Sequence, residues 1–167
     1  EEDGALILVD FTDPAAIESL GLRAVDFPLL FTDYSGRWAD HHLRNRIWTS
    51  NVPQDWSQFT HLELWIYSEV ANGAWFQLNV LSQNPTTEGG DYYYRSFTVD
   101  WEGWRKFTLP FSSFGVSREP LGWDQVDGFE FYASGWEHEA DPTTVLYFGD
   151  MRLIRLEEAL TQQSLFL

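Results

Sequence analysis

The stretch from Leu62 to Val80 reads LELWIYSEVANGAWFQLNV and contains the most regular alternation in the chain. Apolar side chains occupy every second position in two short runs: Leu62, Leu64 and Ile66, then Phe76, Leu78 and Val80. A period of two is typical of strands that bury one face. Asn72-Gly73 between the runs is a strong hairpin signal, so the two strands are predicted to pair antiparallel.

Further strand patterns lie on both sides of this stretch. Alternation recurs over Leu43–Trp48, and residues 23–46 resemble a loop flanked by short strands. Turn residues separate additional apolar segments, which are Ala5–Phe11, Tyr92–Val99, Trp104–Leu109, Gly128–Ala133 and Thr144–Ile154. Strands at this spacing with no long helix are typical of a sandwich or jelly roll. The predicted fold class is therefore all-β, a two-sheet antiparallel β-sandwich (jelly roll).

Helical signals are confined to the two ends of the chain. Asp13-Pro14 offers an N-cap followed by proline at the first helical position, so one short helix is expected over Ala15–Leu20, ended by Gly21. The helical period of the apolar residues from Leu156 onward indicates a C-terminal helix or a linker over 156–167. The expected β-jelly-roll domain therefore spans residues 1–155.

Composition excludes several classes of function. Twenty-six acidic residues face ten basic ones, for a net charge of −16, which repels nucleic acid and anionic membrane surfaces. No window approaches the roughly 18 unbroken apolar residues of a membrane span, and without cysteine neither disulfides nor thiolate metal sites can form. Nine Trp, seven Tyr and thirteen Phe are more aromatic residues than a core of this size hides, so some rings are expected to face a ligand.

Alternation assigns side chains to faces. If the aliphatic positions point inward, one outer face is expected to carry Trp65, Tyr67, Trp75, Gln77, Asn79, Glu130 and Tyr132. Arg44, Arg46 and Trp48 also point outward, and Tyr92, Tyr94 and Ser96 share one side of their strand. Arg95 then falls on the core side, which suggests a bulge or a shifted register.

Flat rings with amide and guanidinium groups between them suit a sugar chain, because pyranose C–H faces stack on rings while hydroxyls hydrogen-bond to polar groups. The predicted ligand-binding residues are Arg44, Arg46, Trp48, Trp65, Trp75, Gln77, Asn79, Tyr92, Tyr94 and Tyr132. Arginines on an aromatic face of so acidic a protein also suggest a uronic-acid-containing polysaccharide such as alginate. The alternative is that Trp65, Tyr67 and Trp75 cover a second small core.

Four motifs between Asp55 and Ile154 resemble one family. They are Asp55-Trp56-Ser57 before Leu62–Ser68, Asp100–Phe107, Pro120-Leu121-Gly122-Trp123, and Leu146–Leu153. In order and spacing they are similar to the galactose-binding-like β-jelly roll of carbohydrate-binding modules found in polysaccharide lyases and glycoside hydrolases. Trp56, Trp101, Trp104 and Trp123 are then expected to be packing residues, whereas Trp38 and Trp136 lie in irregular segments where they can line a cleft.

The resemblance implies a non-catalytic module, secreted or periplasmic, that binds a polysaccharide for an attached enzyme. Similar modules tie the first strand to the last with a structural calcium, for which Asp10 and Asp150 are the candidates, with Asp13 as a weaker third. Gly149 stands where such folds usually carry another aspartate. Two aspartates do not specify a calcium site, so the reading in which they are turn or capping carboxylates stays open.

Nothing in the sequence singles out a catalytic group. No motif selects a carboxylate pair for glycoside hydrolysis. On a strand, His41 and His42 would point to opposite faces and could not bind the same metal ion, so they are expected to be surface or loop histidines. Tyr92 or Tyr94 near Arg44 could imitate a lyase site, but jelly-roll lyases usually have more basic clefts. The competing interpretation is a structural interaction domain that packs its aromatic face against a catalytic domain or a second copy.

Overall fold

The computed structural model describes residues 4–156. One α-helix, α1 (Pro14–Glu18), and a 3-10 helix (Phe111–Ser113) accompany eleven strands in this part of the chain. The strands are β1 (Leu6–Ile7), β2 (Arg23–Val25), β3 (Ser35–Trp38), β4 (Arg46–Thr49), β5 (His61–Ser68), β6 (Trp75–Leu81), β7 (Tyr92–Thr98), β8 (Gly103–Pro110), β9 (Gly115–Ser117), β10 (Gly128–Tyr132) and β11 (Leu146–Ile154).

The strands form two antiparallel sheets. A six-stranded sheet has the order β2-β3-β11-β5-β8, with β1 pairing the C-terminal half of β11. A five-stranded sheet has the order β4-β10-β6-β7-β9. The predicted all-β sandwich is confirmed. No helix among residues 4–156 is long and apolar enough to cross a membrane.

The predicted antiparallel pairing of β5 with β6 is wrong. β5 lies between β11 and β8 in the six-stranded sheet, whereas β6 lies between β10 and β7 in the five-stranded sheet. Gly73 has a φ of 76°, as in a turn, but Asn72 donates its side-chain N–H to Thr144 Oγ1 (2.8 Å) and Gly73 N donates to Val99 O (2.9 Å). The connection between β5 and β6 therefore crosses from one sheet to the other. As a result, the apolar rows of the two strands enter one core from opposite sides.

The core lies between the sheets and contains the alternating positions predicted to be buried. Leu64, Ile66, Leu78 and Val80 have no exposed surface. Phe131 of the five-stranded sheet and Phe148 of the six-stranded sheet meet with ring centroids 4.9 Å apart. The inner faces are thus closed by apolar contacts, which leaves the outer faces for other roles.

The elements predicted near the N-terminus are present, but their bounds differ from the prediction. The helix forms at Pro14–Glu18, where Asp13 caps it by accepting a hydrogen bond from Ala15 N (3.0 Å). The two short strands expected within residues 23–46 are β2 and β3, but the first strand is only Leu6–Ile7. The helix or linker predicted for 156–167 lies outside the described residues, except for the exposed Leu156.

The fourth strand begins later than its alternation suggests. Leu43 and Arg44 both donate their backbone N–H to Asp40 O (2.8 Å each), and Asp40 has a φ of 55°. This turn occupies the segment predicted as the first half of the strand, so β4 begins at Arg46. Leu43, which alternation with the outward Arg44 and Arg46 would place in the core, is 77% exposed.

Candidate functional site

The outer face of the five-stranded sheet carries two rows of side chains that cross the strands. One row is Trp48, Glu130, Asn79, Tyr94 and Gly115. The next row is Arg46, Tyr132, Gln77 and Ser96. Backbone register aligns these residues on β4, β10, β6, β7 and β9, so groups far apart in sequence become neighbours.

Polar side chains in the two rows form one hydrogen-bonded chain, the polar floor, composed of Ser96, Gln77, Asn79, Glu130 and Arg46. Ser96 Oγ donates to Gln77 Oε1 (2.9 Å), and Gln77 Nε2 donates to Asn79 Oδ1 (2.9 Å). Asn79 Nδ2 donates to Glu130 Oε2 (3.0 Å), and Arg46 Nε donates to Glu130 Oε1 (2.9 Å). These bonds fix the orientation of both amides and leave each amide nitrogen a second N–H for another acceptor.

The three central residues of the polar floor are buried although they lie outside the sandwich core, whereas Ser96 and Arg46 at its two ends are exposed. Gln77, Asn79 and Glu130 are 2%, 4% and 7% exposed. Buried amides and carboxylates need partners, and the polar floor supplies them without using the core. A prearranged polar surface of this kind can exchange hydrogen bonds with a ligand at a low cost in side-chain ordering.

Aromatic rings stand around the polar floor. Tyr92 and Tyr94 rise from β7 with their centroids 6.4 Å apart, and Trp136 lies 5.0 Å from Tyr94. Trp75, at the start of β6, is stacked flat against His138, with 4.4 Å between ring centroids and 4° between planes. The central residues of the floor and some of these rings border an open cavity of about 310 Å³, lined by Trp75, Gln77, Asn79, Tyr92, Glu130, Tyr132, Ser134, Gly135 and Trp136.

Arg46 contacts Glu130 and Tyr132, which line this cavity, and is already paired. Its guanidinium lies 4.8 Å from the Trp48 ring and 5.7 Å from the Tyr132 ring, and its Nη2 is 2.9 Å from Glu130 Oε1. Burial raises the pKa of Tyr132, and the neighbouring Glu130 carboxylate adds to this effect. Arg46 and Glu130 therefore cancel in charge, and the phenol of Tyr132 stays protonated as a hydrogen-bond donor at neutral pH.

Gly115 determines where the Tyr94 ring can lie. A Cβ at this position would collide with the ring atoms Cε1 and Cε2 of Tyr94, each 2.7 Å away. The absent side chain lets the ring lie directly over the backbone of β9. The edge strand β9, which the sequence did not indicate, thus helps to position the ring that packs against Trp136 at the rim of the cavity.

Eight of the ten predicted ligand-binding residues lie on this one face, although only some of them line the cavity. They are Arg46, Trp48, Trp75, Gln77, Asn79, Tyr92, Tyr94 and Tyr132. Trp136 is placed at the rim, as its irregular segment allowed. The site also includes Glu130, Ser96, Gly115 and His138; alternation had placed Glu130 and Ser96 outward, but no pattern indicated Gly115 or His138.

Trp65 was predicted on this face and lies on the other sheet. Its cross-strand neighbours are Asp150 and Lys106. Tyr67, also on β5, packs edge to face against Trp104 (5.5 Å) and Tyr147 (5.7 Å), so it belongs to a small aromatic cluster outside the six-stranded sheet. The reason is that the chain crosses to the other sheet between β5 and β6. Both of these strands point their polar residues outward, but on opposite sides of the molecule.

Arg44 was the other misplaced residue. It precedes β4 and borders a separate cavity of about 400 Å³ at the edge of the six-stranded sheet, together with Arg23 and Arg37. Trp38, a candidate for a cleft, is instead buried, and its Nε1 donates to Arg44 O (2.7 Å). The lyase-like arrangement of Arg44 with Tyr92 or Tyr94 is not formed, because Arg44 belongs to the turn at Asp40 and the outward alternation of β4 begins only at Arg46.

His41 and Arg95 also differ from expectation. His41 is buried, stacked on Trp38 at 3.9 Å, rather than on the surface. Arg95 does lie on the inner side of β7, but the pairing of β7 with β6 runs without a bulge from Tyr92 to Thr98. Its guanidinium leaves the sandwich at the edge and donates to Ser113 Oγ.

The remaining tryptophans pack as predicted. Trp56 and Trp101 are buried, and their Nε1 atoms donate to Pro53 O (2.7 Å) and Ile66 O (3.2 Å). Trp123 stacks on Phe111 with 4.2 Å between centroids. Trp104 packs across the backbone of Gly149, where a Cβ would lie 2.6 Å from its Cη2.

The carboxylates predicted to bind calcium have other partners. Asp10 accepts from Thr12 N (2.9 Å) and Thr12 Oγ1 (2.5 Å), and these bonds lower its pKa. Asp150 accepts from Arg152 Nε (2.8 Å), and Asp13 is the helix cap. Within residues 4–156 no group of three or more His, Asp or Glu is arranged to hold a metal. These residues do not fit a calcium site by themselves, and calcium stays a prediction from the resemblance.

Solved structures share this fold. A family 11 carbohydrate-binding module from Clostridium thermocellum, in complex with a β-1,3-1,4-mixed-linked tetrasaccharide, is 17% identical over 94% of this chain and 87% of its own, with a TM-score of 0.58. A family 30 module of a cellulosomal cellulase from the same organism is 14% identical over 82% and 83%, with a TM-score of 0.61. An agarase is 13% identical over 93% of this chain and 25% of its own, with a TM-score of 0.58.

At these identities the likeness establishes the fold, and it confirms the predicted resemblance to the β-sandwich of carbohydrate-binding modules. No protein-family model matches the sequence, and a search of curated proteins finds no match.

Proposed function

We propose that this chain is a non-catalytic carbohydrate-binding module whose ligand, a polysaccharide, binds on the outer face of the five-stranded sheet. The observation that carries the proposal is the polar floor between aromatic rings, whose central residues Gln77, Asn79 and Glu130 are buried. Its amides offer N–H groups in fixed directions, and the rings offer flat apolar surfaces. Sugar hydroxyls and sugar C–H faces match these two kinds of surface.

The solved structures of similar fold support the proposal. One of them is a carbohydrate-binding module in complex with a tetrasaccharide. The agarase contains this fold in about a quarter of its chain, which supports attachment of such a domain to a polysaccharide-degrading enzyme. Secretion or a periplasmic location is part of the same proposal, since polymeric substrates are degraded outside the cytoplasm.

A non-catalytic role follows from the carboxylates of the site. Glu130 is the one carboxylate among the described residues that line the cavity, and its oxygens accept from Asn79 and Arg46. Glycoside hydrolysis ordinarily uses two carboxylates across the scissile bond. The site therefore serves binding, which raises the effective concentration of an attached enzyme near its substrate.

The charge of the site favours a neutral chain as the ligand. Arg46 is neutralised by Glu130, and Arg44 lies elsewhere, so the groove holds no unpaired guanidinium among the described residues that border it. A uronic-acid polysaccharide such as alginate is the second candidate, because Arg46 stands between the Trp48 and Tyr132 rings, where a carboxylate and a sugar ring could bind together.

The test compares two tryptophans on opposite faces. Trp75→Ala is expected to lower affinity for the bound polysaccharide about tenfold or more, because it removes an aromatic wall of the cavity. Trp65→Ala is the matched control, since it removes the same side chain from the other sheet. Affinity electrophoresis in gels containing mixed-linkage β-glucan, agarose or alginate measures both variants against the unmodified chain.

Each outcome bears on the proposal. Loss of retardation in Trp75→Ala with normal retardation in Trp65→Ala supports it. Equal losses in both variants, or no retardation of the unmodified chain in any gel, would contradict it. Self-association of the unmodified chain in sedimentation, together with no retardation, would support the structural interaction domain instead.

A further inference from the structure

The turn Gly135–His138 carries two residues in an unfavourable conformation. Gly135 N donates to His138 O and His138 N donates to Gly135 O, both at 2.9 Å, so the turn is a two-residue hairpin. Its central residues, Trp136 and Glu137, have φ values of 52° and 69°. Positive φ at both positions normally selects Gly, Asn or Asp, and a bulky tryptophan there is an outlier.

This strained turn places one ring at the cavity and a second ring against Trp75, which lines the cavity. The turn follows β10, whereas Tyr94 lies on β7, and β6 with its two amides lies between these strands. Trp136 therefore reaches Tyr94 across the polar floor, with 5.0 Å between ring centroids. On the other side of the turn, His138 lies flat against Trp75.

The base of the turn is held to the sheet. Ala133 N donates to Asn45 O (2.8 Å), and Asn45 Nδ2 donates to Ser134 Oγ (2.8 Å). The position of Trp136 is thus set by the end of β10 and the segment before β4. A wall placed in this way can hold one geometry against a ligand.

The stability of the fold does not explain why a tryptophan occupies position 136, where φ is 52°. Its side chain remains 55% exposed, so its contact with Tyr94 buries only part of the ring. An Asn-Gly pair would form the same turn without strain. Backbone strain that the fold does not need is typical of functional sites, where the gain lies in binding.

We propose that this turn is the specificity-determining element of the site, an inference that rests on the proposed polysaccharide-binding function. Trp136 forms a side wall that confines an unbranched, neutral stretch of chain against the polar floor. A side-chain sugar on the confined ring would meet the indole. The cavity volume of about 310 Å³ is near the lower end of the roughly 300–1,000 Å³ of small-ligand pockets, so a short stretch of chain fills it.

The experiment separates binding from folding through effects of opposite sign. Trp136→Gly is expected to raise Tm, because glycine relieves the left-handed strain, and to lower affinity about tenfold. Glu137→Gly is the matched control: it relieves the same strain one residue later and keeps the indole, so Tm rises while affinity stays within about twofold. Calorimetry with the β-1,3-1,4-mixed-linked tetrasaccharide, electrophoresis in agarose, mixed-linkage β-glucan and xyloglucan gels, and thermal melts give the readouts.

The results distinguish this inference from the function it rests on. If the unmodified chain binds and Trp136→Gly binds equally well, or if Trp136→Gly lowers Tm, the turn is not the specificity element while the proposed function stands. The unmodified chain is expected to prefer unbranched β-glucan over branched xyloglucan. If Trp136→Gly leaves this preference unchanged, the proposed role of Trp136 as a wall that excludes branches is likewise wrong. Failure of the unmodified chain to bind every probe overturns the proposed function and this inference together.

Discussion

At the scale of the residue, His41 shows how burial changes chemistry. Its ring stacks on Trp38, and its Nε2 lies 3.1 Å from Trp38 O. Burial lowers its pKa from 6.5 to about 4, against the opposing effects of the Trp38 carbonyl and of Asp141 and Asp40. The neighbouring His42 is exposed, so two adjacent histidines of the same sequence motif have different surroundings.

This burial predicts a specific pH dependence of stability. Because the unfolded chain binds a proton at His41 below pH 6.5 and the folded chain does so only near pH 4, His41 should lower the free energy of unfolding by about 3 kcal/mol as pH falls across this window. Burial also lowers the pKa of His61, which acts in the same direction. Urea unfolding at a series of pH values measures it. The contributions of Asp10, Asp55 and Asp141, whose pKa values are lowered from 3.8, are lost below this window.

Two histidine variants assign the effect. His41→Phe keeps a flat ring on Trp38 and should remove most of the dependence between pH 6.5 and 4, leaving the contribution of His61. His42→Gln should leave it unchanged. An unaltered slope in His41→Phe would show that another group is responsible.

At the scale of the element, β11 is the strand on which the six-stranded sheet is assembled, and it contains one irregularity. Its pairing with β5 shifts between Phe148 and Asp150, so Gly149 lies at a bulge. Trp104 of β8 packs against the bare backbone there, since a Cβ on Gly149 would lie 2.6 Å from Cη2 and 2.8 Å from Cζ3 of the indole. The bulge and the ring therefore depend on each other.

Gly149→Ala should destabilise the protein by about 1–3 kcal/mol, because the added methyl group displaces the indole. Gly90→Ala is the matched control, as its Cβ would meet Tyr92 at an ordinary 3.5 Å. In the double variant Gly149→Ala, Trp104→Leu, the smaller side chain should make the effects of the two changes non-additive. Equal unfolding free energies for Gly149→Ala and the unmodified chain would mean that the strand shifts to accommodate the methyl group.

At the scale of the whole molecule, charge separates the two ligand classes. The chain carries a net charge of −16, and the groove carries a neutralised Arg46–Glu130 pair. Affinity for a neutral glucan should stay constant as ionic strength rises from about 0.01 to 0.15 M, whereas the overall charge should oppose alginate at low ionic strength. Gel retardation at both ionic strengths measures the difference. Affinity for alginate that falls with added salt would instead show an unpaired guanidinium in contact with uronate.

A variant of Glu130 tests whether the Arg46–Glu130 pair sets the preference for a neutral ligand. Glu130→Gln keeps the shape of the side chain and removes the charge that neutralises Arg46, so binding should shift toward alginate and become weaker with added salt. Glu63→Gln is a control of equal charge change, since Glu63 pairs with Lys106 on the other sheet at 3.2 Å. A similar shift in both variants would assign the effect to net charge rather than to the groove.

The sequence by itself determined that the protein is an all-β sandwich, which aliphatic residues of β5 and β6 are buried, and that the rings and amides between them point outward. These properties follow from alternation, since a period of two records whether a side chain faces the core. The tertiary structure alone decided which outer face each residue occupies. A sandwich has two outer faces with the same pattern, and the backbone hydrogen bonds that assign a strand to a sheet leave little trace in the side chains.

Trp65 and Trp75 illustrate the difference, since both alternate outward yet lie on opposite sides of the molecule. The turn that carries Trp136 was also beyond sequence analysis, because its left-handed backbone contradicts the preference of its residues. Strain of that kind is held by the surrounding fold, so only the folded chain shows it.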